Sequence, residues 1–256
     1  MVFRMTRLSD LAEAGFDSVI DVRSPAEYAE DRVPGAINLP VLSDEERARV
    51  GTIYVQDNPF LARKIGAALV AQNAAAHIVG PLADKEGGWR PLVYCWRGGQ
   101  RSGSFATILS QIGWRVETLE GGYQSYRRLV VNRLYDEAVP SKVVLVDGNT
   151  GTAKTEVLAA LGAKGVQVLD LEGLANHRGS ALGGRGSQPS QKAFESSLAA
   201  EIDALDPARP VVVEAESSRI GQLNLPSRLF AAMKAAPRFE ISAPVAARAD
   251  YLTRAY

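Results

Sequence analysis

Short apolar runs alternate with longer amphipathic stretches along the whole chain. The runs at residues 18–23, 91–94, 142–147, 166–170 and 210–214 are dominated by Val, Ile and Leu, as is typical of buried strands. Between them the spacing of apolar residues predicts helices. Strands that alternate with helices favour an α/β fold whose sheets are mainly parallel.

Local signals place two of these helices. Ser24 is a candidate N-cap, with Pro25 at the first helical position and Glu27 completing a capping box. Residues 58–76 are predicted to form one helix. Its expected inner face consists of Phe60, Leu61, Ile65, Leu69 and Val70.

A break at residues 139–141 (Val-Pro-Ser) divides the 256-residue chain. We therefore predict two domains, 1–138 and 139–256. No apolar run is long enough for a membrane span, and the first residues lack the pattern of a secretory signal. A single cysteine fits a reducing compartment, so a cytoplasmic location is expected.

Charge gives only a local hint of a partner. The formal net charge is zero, but residues 97–133 contain six arginines. Such a run is either a solvated face or a surface for RNA or another anion.

The only cysteine, Cys95, lies in a loop between a predicted strand and a predicted helix. Backbone N–H groups and the positive end of the helix would lower its pKa and make it a nucleophile, although a lone cysteine is also commonly a buried apolar residue. Arg97 and Arg101 would clamp an anion, so all three are candidate catalytic residues. The remaining loop residues are Trp96, Gly98, Gly99, Gln100 and Ser102.

The first half of the chain resembles the rhodanese family. Residues 21–28 (DVRSPAEY) and 33–40 (VPGAINLP) match its early signature, and Cys95 stands at the position of its persulfide-forming cysteine. Five residues separate Cys95 from Arg101, where simple sulfurtransferases usually have four. Cysteine phosphatases and rhodanese-like arsenate reductases also use this longer spacing. Asp21 and Arg23 are either supporting functional residues or a structural ion pair.

A second candidate binding loop follows the predicted strand at residues 142–147. Residues 148–155 (GNTGTAKT) match the Walker A pattern except that Ala153 replaces a glycine. Lys154 would meet phosphate charge, and Thr155 would reach a Mg²⁺ ion. The expected phosphate-binding residues are Gly148, Asn149, Thr150, Gly151, Thr152, Ala153, Lys154 and Thr155.

Acidic residues end the next two predicted strands. Asp170 or Glu214 would hold Mg²⁺ or position water, or would cap neighbouring helices, and the expected Mg²⁺ ligands are Thr155 and Asp170. Glu172 and Glu216 lie beside them, and His177 is either a structural or a catalytic residue. Arg178 and Ser180 flank that histidine, and a glycine-rich stretch at 183–187 has the composition of a loop that closes over a ligand.

Taken together, the chain resembles the tRNA 2-selenouridine synthase family. The resemblance is carried by residues 95–103 (CWRGGQRSG), the Walker-like loop, 169–180 (LDLEGLANHRGS), 188–191 (QPSQ) and 214–221 (EAESSRIG). It implies a rhodanese-like domain followed by a P-loop NTPase-like α/β domain. Family members usually have a longer C-terminal part, so a shortened chain is expected.

The resemblance also implies a reaction. Sulfur in 2-thiouridine at the tRNA wobble position would be replaced by selenium, through an S-geranylated uridine. Geranyl diphosphate and selenophosphate would be co-substrates, Mg²⁺ would assist, and no permanently bound cofactor is expected. A selenophosphate-supplying synthetase would be a partner, and no membrane is involved.

Two other functions remain open at this level. The first is a cysteine-dependent oxyanion enzyme, a phosphatase or arsenate reductase, fused to a nucleotide-binding domain. The second is a non-enzymatic switch, in which nucleotide binding to the P-loop controls a sulfur-carrier module.

Overall fold

The structure is a computed structural model that describes residues 1–177 and 186–255. The chain folds into two compact units, Met1–Leu129 and Val130–Tyr256. This division falls within a helix, upstream of the predicted boundary at residue 138. None of the helices in the described ranges has both the length and the apolar character needed to cross a membrane.

A parallel sheet organises the first unit, with its strands in the order β1-β5-β4-β2-β3. The strands are β1 (Val2–Phe3), β2 (Ser18–Asp21), β3 (Ile37–Asn38), β4 (Pro91–Tyr94) and β5 (Glu117–Leu119). The helices are α1 (Asp10–Glu13), α2 (Pro25–Glu30), α3 (Asp44–Gln56), α4 (Pro59–Val79), α5 (Gln100–Ile112) and α6 (Gly122–Val131), the last crossing into the second unit. Every residue of β4 is buried, which explains its continuous apolar sequence.

The inner face of α4 differs from the predicted one. Phe60 and Leu61 are 70% and 41% exposed, so their assignment to the core was wrong. The buried positions are instead Ala62, Val70 and Ala74, spaced by multiples of four. Small side chains on this face let α4 pack closely against the rest of the first unit. A prediction based on the positions of large apolar residues does not identify such a face.

The second unit contains another parallel sheet, in the order β11-β6-β8-β7. Its strands are β6 (Val143–Asp147), β7 (Gln167–Leu169), β8 (Val211–Glu214) and β11 (Arg238–Glu240), and a separate antiparallel pair consists of β9 (Arg219–Ile220) and β10 (Leu223–Asn224). The helices are α7 (Lys154–Ala163), α8 (Leu171–Ala175), α9 (Gln191–Asp203), α10 (Ser227–Ala235) and α11 (Val245–Ala255), with a π-helical turn at Asn132–Asp136. Both loops singled out in the sequence follow the carboxyl end of a parallel strand, where α/β sheets bind ligands.

Candidate active site

Cys95 directly follows β4 and is 3% exposed. Its Sγ accepts hydrogen bonds from the Gly99 backbone N–H at 3.3 Å and from the Ser102 hydroxyl at 3.2 Å. Burial alone would raise the pKa of the thiol. The hydrogen bonds from Ser102, the charge of Arg101 and the Gly99 N–H together outweigh burial, so the pKa of Cys95 lies below its usual value. The thiol of Cys95 therefore ionises more readily than that of a free cysteine.

The start of α6 is hydrogen-bonded to the backbone of the Cys95 loop. Tyr123 N–H donates to the Cys95 carbonyl at 2.8 Å, and Gln124 N–H donates to the Trp96 carbonyl at 3.1 Å. Gly122 has φ +59°, and a Cβ there would lie 2.5 Å from the Gly98 nitrogen. Only glycine fits this contact. Gly122 was not among the predicted site residues, although residues 121–123 (Gly-Gly-Tyr) also match the tRNA 2-selenouridine synthase pattern.

A cavity of about 550 Å³ opens in front of the sulfur. Arg97 is exposed at its rim, together with Gly99 and Gln100 from the predicted loop. Arg101 lies deeper and donates from Nη1 to Glu27 Oε2 at 2.8 Å. The cavity therefore brings a thiol and guanidinium groups together. Its full lining is Glu27, Arg47, Tyr54, Cys95, Trp96, Arg97, Gly99, Gln100 and Arg101.

Asp21 and Arg23 do not line this cavity. They form a fully buried ion pair, with Arg23 Nη2 2.6 Å from Asp21 Oδ2. The same nitrogen donates to the Asp31 carbonyl at 2.6 Å, and the guanidinium lies 4.0 Å from the centre of the Tyr123 ring. Tyr123 in turn packs against Trp96, with ring centres 5.3 Å apart. Through Tyr123 and Trp96, the Asp21–Arg23 ion pair therefore supports the Cys95 loop.

The second loop has the strand–loop–helix geometry of a phosphate-binding loop. It connects β6 to α7, and Lys154 Nζ reaches back to donate to the Gly148 carbonyl at 2.7 Å. Thr152 closes the turn through a 2.8 Å bond from its hydroxyl to the Asn149 carbonyl. Gly151 has φ +86°, and Ala153 has φ +58° and ψ +36°. Ala153 thus occupies the left-handed conformation, which glycine adopts at a lower free-energy cost. This explains why the Walker A pattern has glycine at this position.

The C-terminal helix packs on this loop, a contact that the sequence did not predict. Arg248, on α11, donates from Nε to the Thr150 carbonyl at 2.9 Å. A Cβ at Gly151 would lie 2.9 Å from the Arg248 carbonyl oxygen. Strand β11, which leads toward α11, is tied to β6 by the 2.8 Å ion pair between Arg238 and Asp147.

Acidic side chains lie beside the loop at residues 148–155. The Thr155 hydroxyl donates to Glu172 Oε2 at 3.1 Å, and Glu172 N–H donates to Glu214 Oε1 at 2.6 Å. Burial and the neighbouring carboxylates raise the pKa of Glu214 to about 8 and that of Glu216 to about 7. Glu214 Oε2 is buried without a hydrogen-bond partner in residues 1–177 and 186–255.

Asp170 serves as the N-cap of α8, since its Oδ1 accepts from Gly173 N–H at 2.7 Å. The carboxylate bonded to Thr155 is that of Glu172. The described part of the chain contains no group of three or more His, Cys, Asp and Glu side chains placed to hold a metal ion.

His177 follows α8, and its buried Nδ1 has no partner among the described residues. Arg178 and Ser180 lie outside the described residues, as does most of the glycine-rich stretch at 183–187.

Both halves of the chain match family models. Residues 5–129 match the rhodanese-like domain, and residues 141–256 match the tRNA 2-selenouridine synthase AAA domain. These matches agree with the predicted α/β fold class, a rhodanese-like domain followed by a P-loop-type domain with a mainly parallel sheet.

Curated relatives share both halves. The tRNA 2-selenouridine synthase of Psychromonas ingrahamii is 38% identical over 93% of this chain and 64% of its own length. The protein of the same name from Bdellovibrio bacteriovorus is 37% identical over 91% of this chain and 62% of its own. That from Aeromonas salmonicida is 37% identical over 97% of this chain and 67% of its own. The chain spans a little under two thirds of the first two relatives. With the matching family models, this similarity shows that the chain belongs to the tRNA 2-selenouridine synthase family.

Proposed function

We propose that this chain carries the two reaction centres of a transferase that replaces sulfur by selenium in wobble 2-thiouridine of tRNA. The first centre is the Cys95 cavity and the second is the loop that contains Lys154. The reaction would run in two stages, S-geranylation of the thiouridine from geranyl diphosphate and then selenation from selenophosphate. The observation that carries the proposal is the Cys95 sulfur, held by Gly99 N–H and the Ser102 hydroxyl inside an arginine-lined cavity.

The Cys95 cavity suits selenophosphate because this donor is a small tetrahedral anion. Arg97 and Arg101 would bind its phosphate oxygens while the Cys95 thiolate attacks phosphorus, so that an S–P bond forms, the P–Se bond breaks and selenide leaves with the electron pair. Selenide would then bond to C2 of the geranylated uridine as the C2–S bond breaks and geranylthiol leaves, and water would hydrolyse the S–P bond to release phosphate. Protein donors replace water around the anion, which strengthens their interaction with it. The cavity volume of about 550 Å³ leaves room for a nucleobase beside the anion.

The second loop suits geranyl diphosphate. In S-geranylation the thiouridine sulfur bonds to the first carbon of the geranyl group, and the carbon–oxygen bond to diphosphate breaks. The diphosphate leaves with the electron pair, and Lys154 together with the N–H groups of residues 148–155 would stabilise its charge. Thr155 and Glu172, already in contact at 3.1 Å, are the pair that would bind a Mg²⁺ ion on the diphosphate.

The partners follow from this chemistry. The substrate would be a tRNA with 2-thiouridine at the wobble position, and a selenophosphate-producing synthetase would supply the donor. Such a reaction belongs in the cytoplasm, where tRNA and reduced thiols coexist. Membership of the tRNA 2-selenouridine synthase family favours this function over a phosphatase or arsenate reductase that uses the same cysteine-to-arginine spacing.

The test separates the two centres. The chain and its Cys95→Ala and Lys154→Ala variants are incubated with 2-thiouridine tRNA, geranyl diphosphate and selenophosphate. Mass spectrometry then identifies the wobble nucleosides. We expect Cys95→Ala to accumulate the geranylated nucleoside and Lys154→Ala to leave 2-thiouridine unmodified. Lys164→Ala, an exposed lysine just after α7, is the matched control.

Three outcomes would contradict the proposal: geranylation by Lys154→Ala at the control rate, selenation by Cys95→Ala, or the absence of both products with the unaltered chain. Turnover of an aryl phosphate that is lost in Cys95→Ser would favour the phosphatase alternative.

A further inference from the structure

The Cys95 cavity has a third arginine that the sequence analysis did not single out. Arg47, on α3, lines the cavity beside Arg97 and Arg101. Its Nε lies 3.0 Å from Glu27 Oε2, the same oxygen that accepts from Arg101 Nη1 at 2.8 Å. One carboxylate therefore holds two guanidinium groups at the cavity wall.

The burial of these groups differs in a way that matters for binding. The side chain of Glu27 is 10% exposed, whereas those of Arg101 and Arg47 are 22% and 52% exposed. Burial would raise the pKa of Glu27, but the hydrogen bond and charge of Arg101 and the charge of Arg47 keep it below its usual value. Glu27 is thus a fixed anion, while Arg47 has the freedom to turn toward a ligand.

The charges of the cavity do not cancel. Arg47, Arg97 and Arg101 contribute three positive charges and Glu27 one negative charge, which leaves two positive charges before Cys95 ionises. The acidic residues in the first turn of α3 do not line the cavity and have other partners. Asp44 accepts from Ala26 N–H, Glu45 from the Ser43 hydroxyl and Glu46 from Ser43 N–H.

We propose that Arg47 is a third anion-binding residue of the Cys95 cavity, and that the three arginines fit the cavity to a tetrahedral dianion. The proposal rests on the function proposed above and specifies the charge state of the donor bound there. Glu27 positions Arg47 and Arg101 on one side of the cavity, and Arg97 contributes from the loop itself. Guanidinium groups bind phosphate oxygens in paired hydrogen bonds, so a doubly charged phosphate group is the matching ligand. The Arg47 side chain is 52% exposed, so water screens its attraction to Glu27, and this arginine can exchange its partner for the ligand.

The single cysteine gives a clean measurement of anion binding. Cys95 is the only thiol that iodoacetamide can alkylate in this chain, and an anion bound in the cavity would slow that reaction. The concentration of inorganic phosphate that halves the rate at pH 8 is measured for the full chain and for Arg47→Gln. Arg49→Gln is the matched control, since Arg49 is an exposed arginine on the same helix that does not line the cavity. Perchlorate, a tetrahedral monoanion, tests the charge preference.

We expect Arg47→Gln to require about tenfold more phosphate than the unaltered chain, and Arg49→Gln no more than about twofold, with circular dichroism and Tm unchanged in both. Equal effects of the two substitutions would overturn the role of Arg47. Perchlorate protection as strong as phosphate protection would overturn the preference for a dianion. An absence of any protection in the unaltered chain would overturn the anion site itself. These outcomes do not depend on the nucleoside assay, so the inference and the proposed reaction can fail separately.

Discussion

The hydroxyl of Ser102 donates a 3.2 Å hydrogen bond to the sulfur of Cys95, and it does so from the first turn of α5. Burial opposes ionisation of this thiol, and Ser102 is the largest contribution against burial. We expect Ser102→Ala to raise the pKa of Cys95 and to move the pH profile of alkylation by iodoacetamide to higher pH. Ser104→Ala, at an exposed position on the same helix, should leave the profile unchanged. Superimposable profiles for both variants would contradict this role of Ser102.

The left-handed conformation of Ala153 predicts that substitution by glycine increases the stability of the protein. A left-handed residue with a Cβ costs about 1–2 kcal/mol, so Ala153→Gly should stabilise the loop by up to about 1 kcal/mol after the entropy cost of glycine. It should also tighten binding of inorganic diphosphate. Ala159→Gly, in the middle of α7 and exposed, should instead destabilise by about 1 kcal/mol. Denaturant unfolding and calorimetry measure both effects, and a loss of stability with Ala153→Gly would refute the interpretation.

At Gly122, by contrast, a larger side chain is expected to destabilise the protein. A Cβ there meets Gly98 N and the Cys95 carbonyl in a backbone with φ +59°, so Gly122→Ala should destabilise the first unit by about 2 kcal/mol or more. Alkylation of Cys95 should also slow, because the loop that presents the sulfur must shift. Gly103→Ala is the control: it lies inside α5 with open space around it and should be neutral or stabilising. If both variants unfold at the same denaturant concentration, the close contact is unimportant.

Glu214 predicts a pH-dependent stability. Burial and the charges of nearby carboxylates raise its pKa to about 8, whereas an unfolded glutamate titrates near its usual value of about 4.3. Between these values the folded chain holds a proton that the unfolded chain has released, so stability falls as pH rises. Glu214→Gln should therefore raise Tm by a few degrees at pH 8.5 and have little effect at pH 4.5. Glu201→Gln, exposed on α9, provides the control, and a Tm difference independent of pH would exclude this origin.

Much of the local structure could be predicted because its cause lies within a few residues. The capping box of Ser24 and Glu27 is present as the sequence indicated, and α2 begins at Pro25. The strand–loop–helix pattern at Cys95 likewise depends on the apolar run of β4 and on the glycines that follow it.

The features that the sequence did not predict depend on contacts between segments that are distant along the chain. Glu27 was expected only as a capping residue, yet its carboxylate also binds Arg101 and Arg47, which are brought to it by the sheet and by α3. Strand β11 is short and exposed, so its apolar pattern is weak, and its parallel pairing with β6 arises from tertiary structure. Pattern reasoning finds such elements only after their neighbours are known.

Every pairing within the two larger sheets is parallel among the described residues, as in β2 with β4 and β6 with β8. Parallel neighbours cannot be joined by a tight hairpin, so the chain must close a long loop before any of these ladders gains its hydrogen bonds. Each unit should consequently refold slowly for its size, on the timescale of milliseconds to seconds typical of non-local topologies. During that interval the apolar edges of β4 and β8 are uncovered, so recovery after dilution from denaturant should improve at low protein concentration.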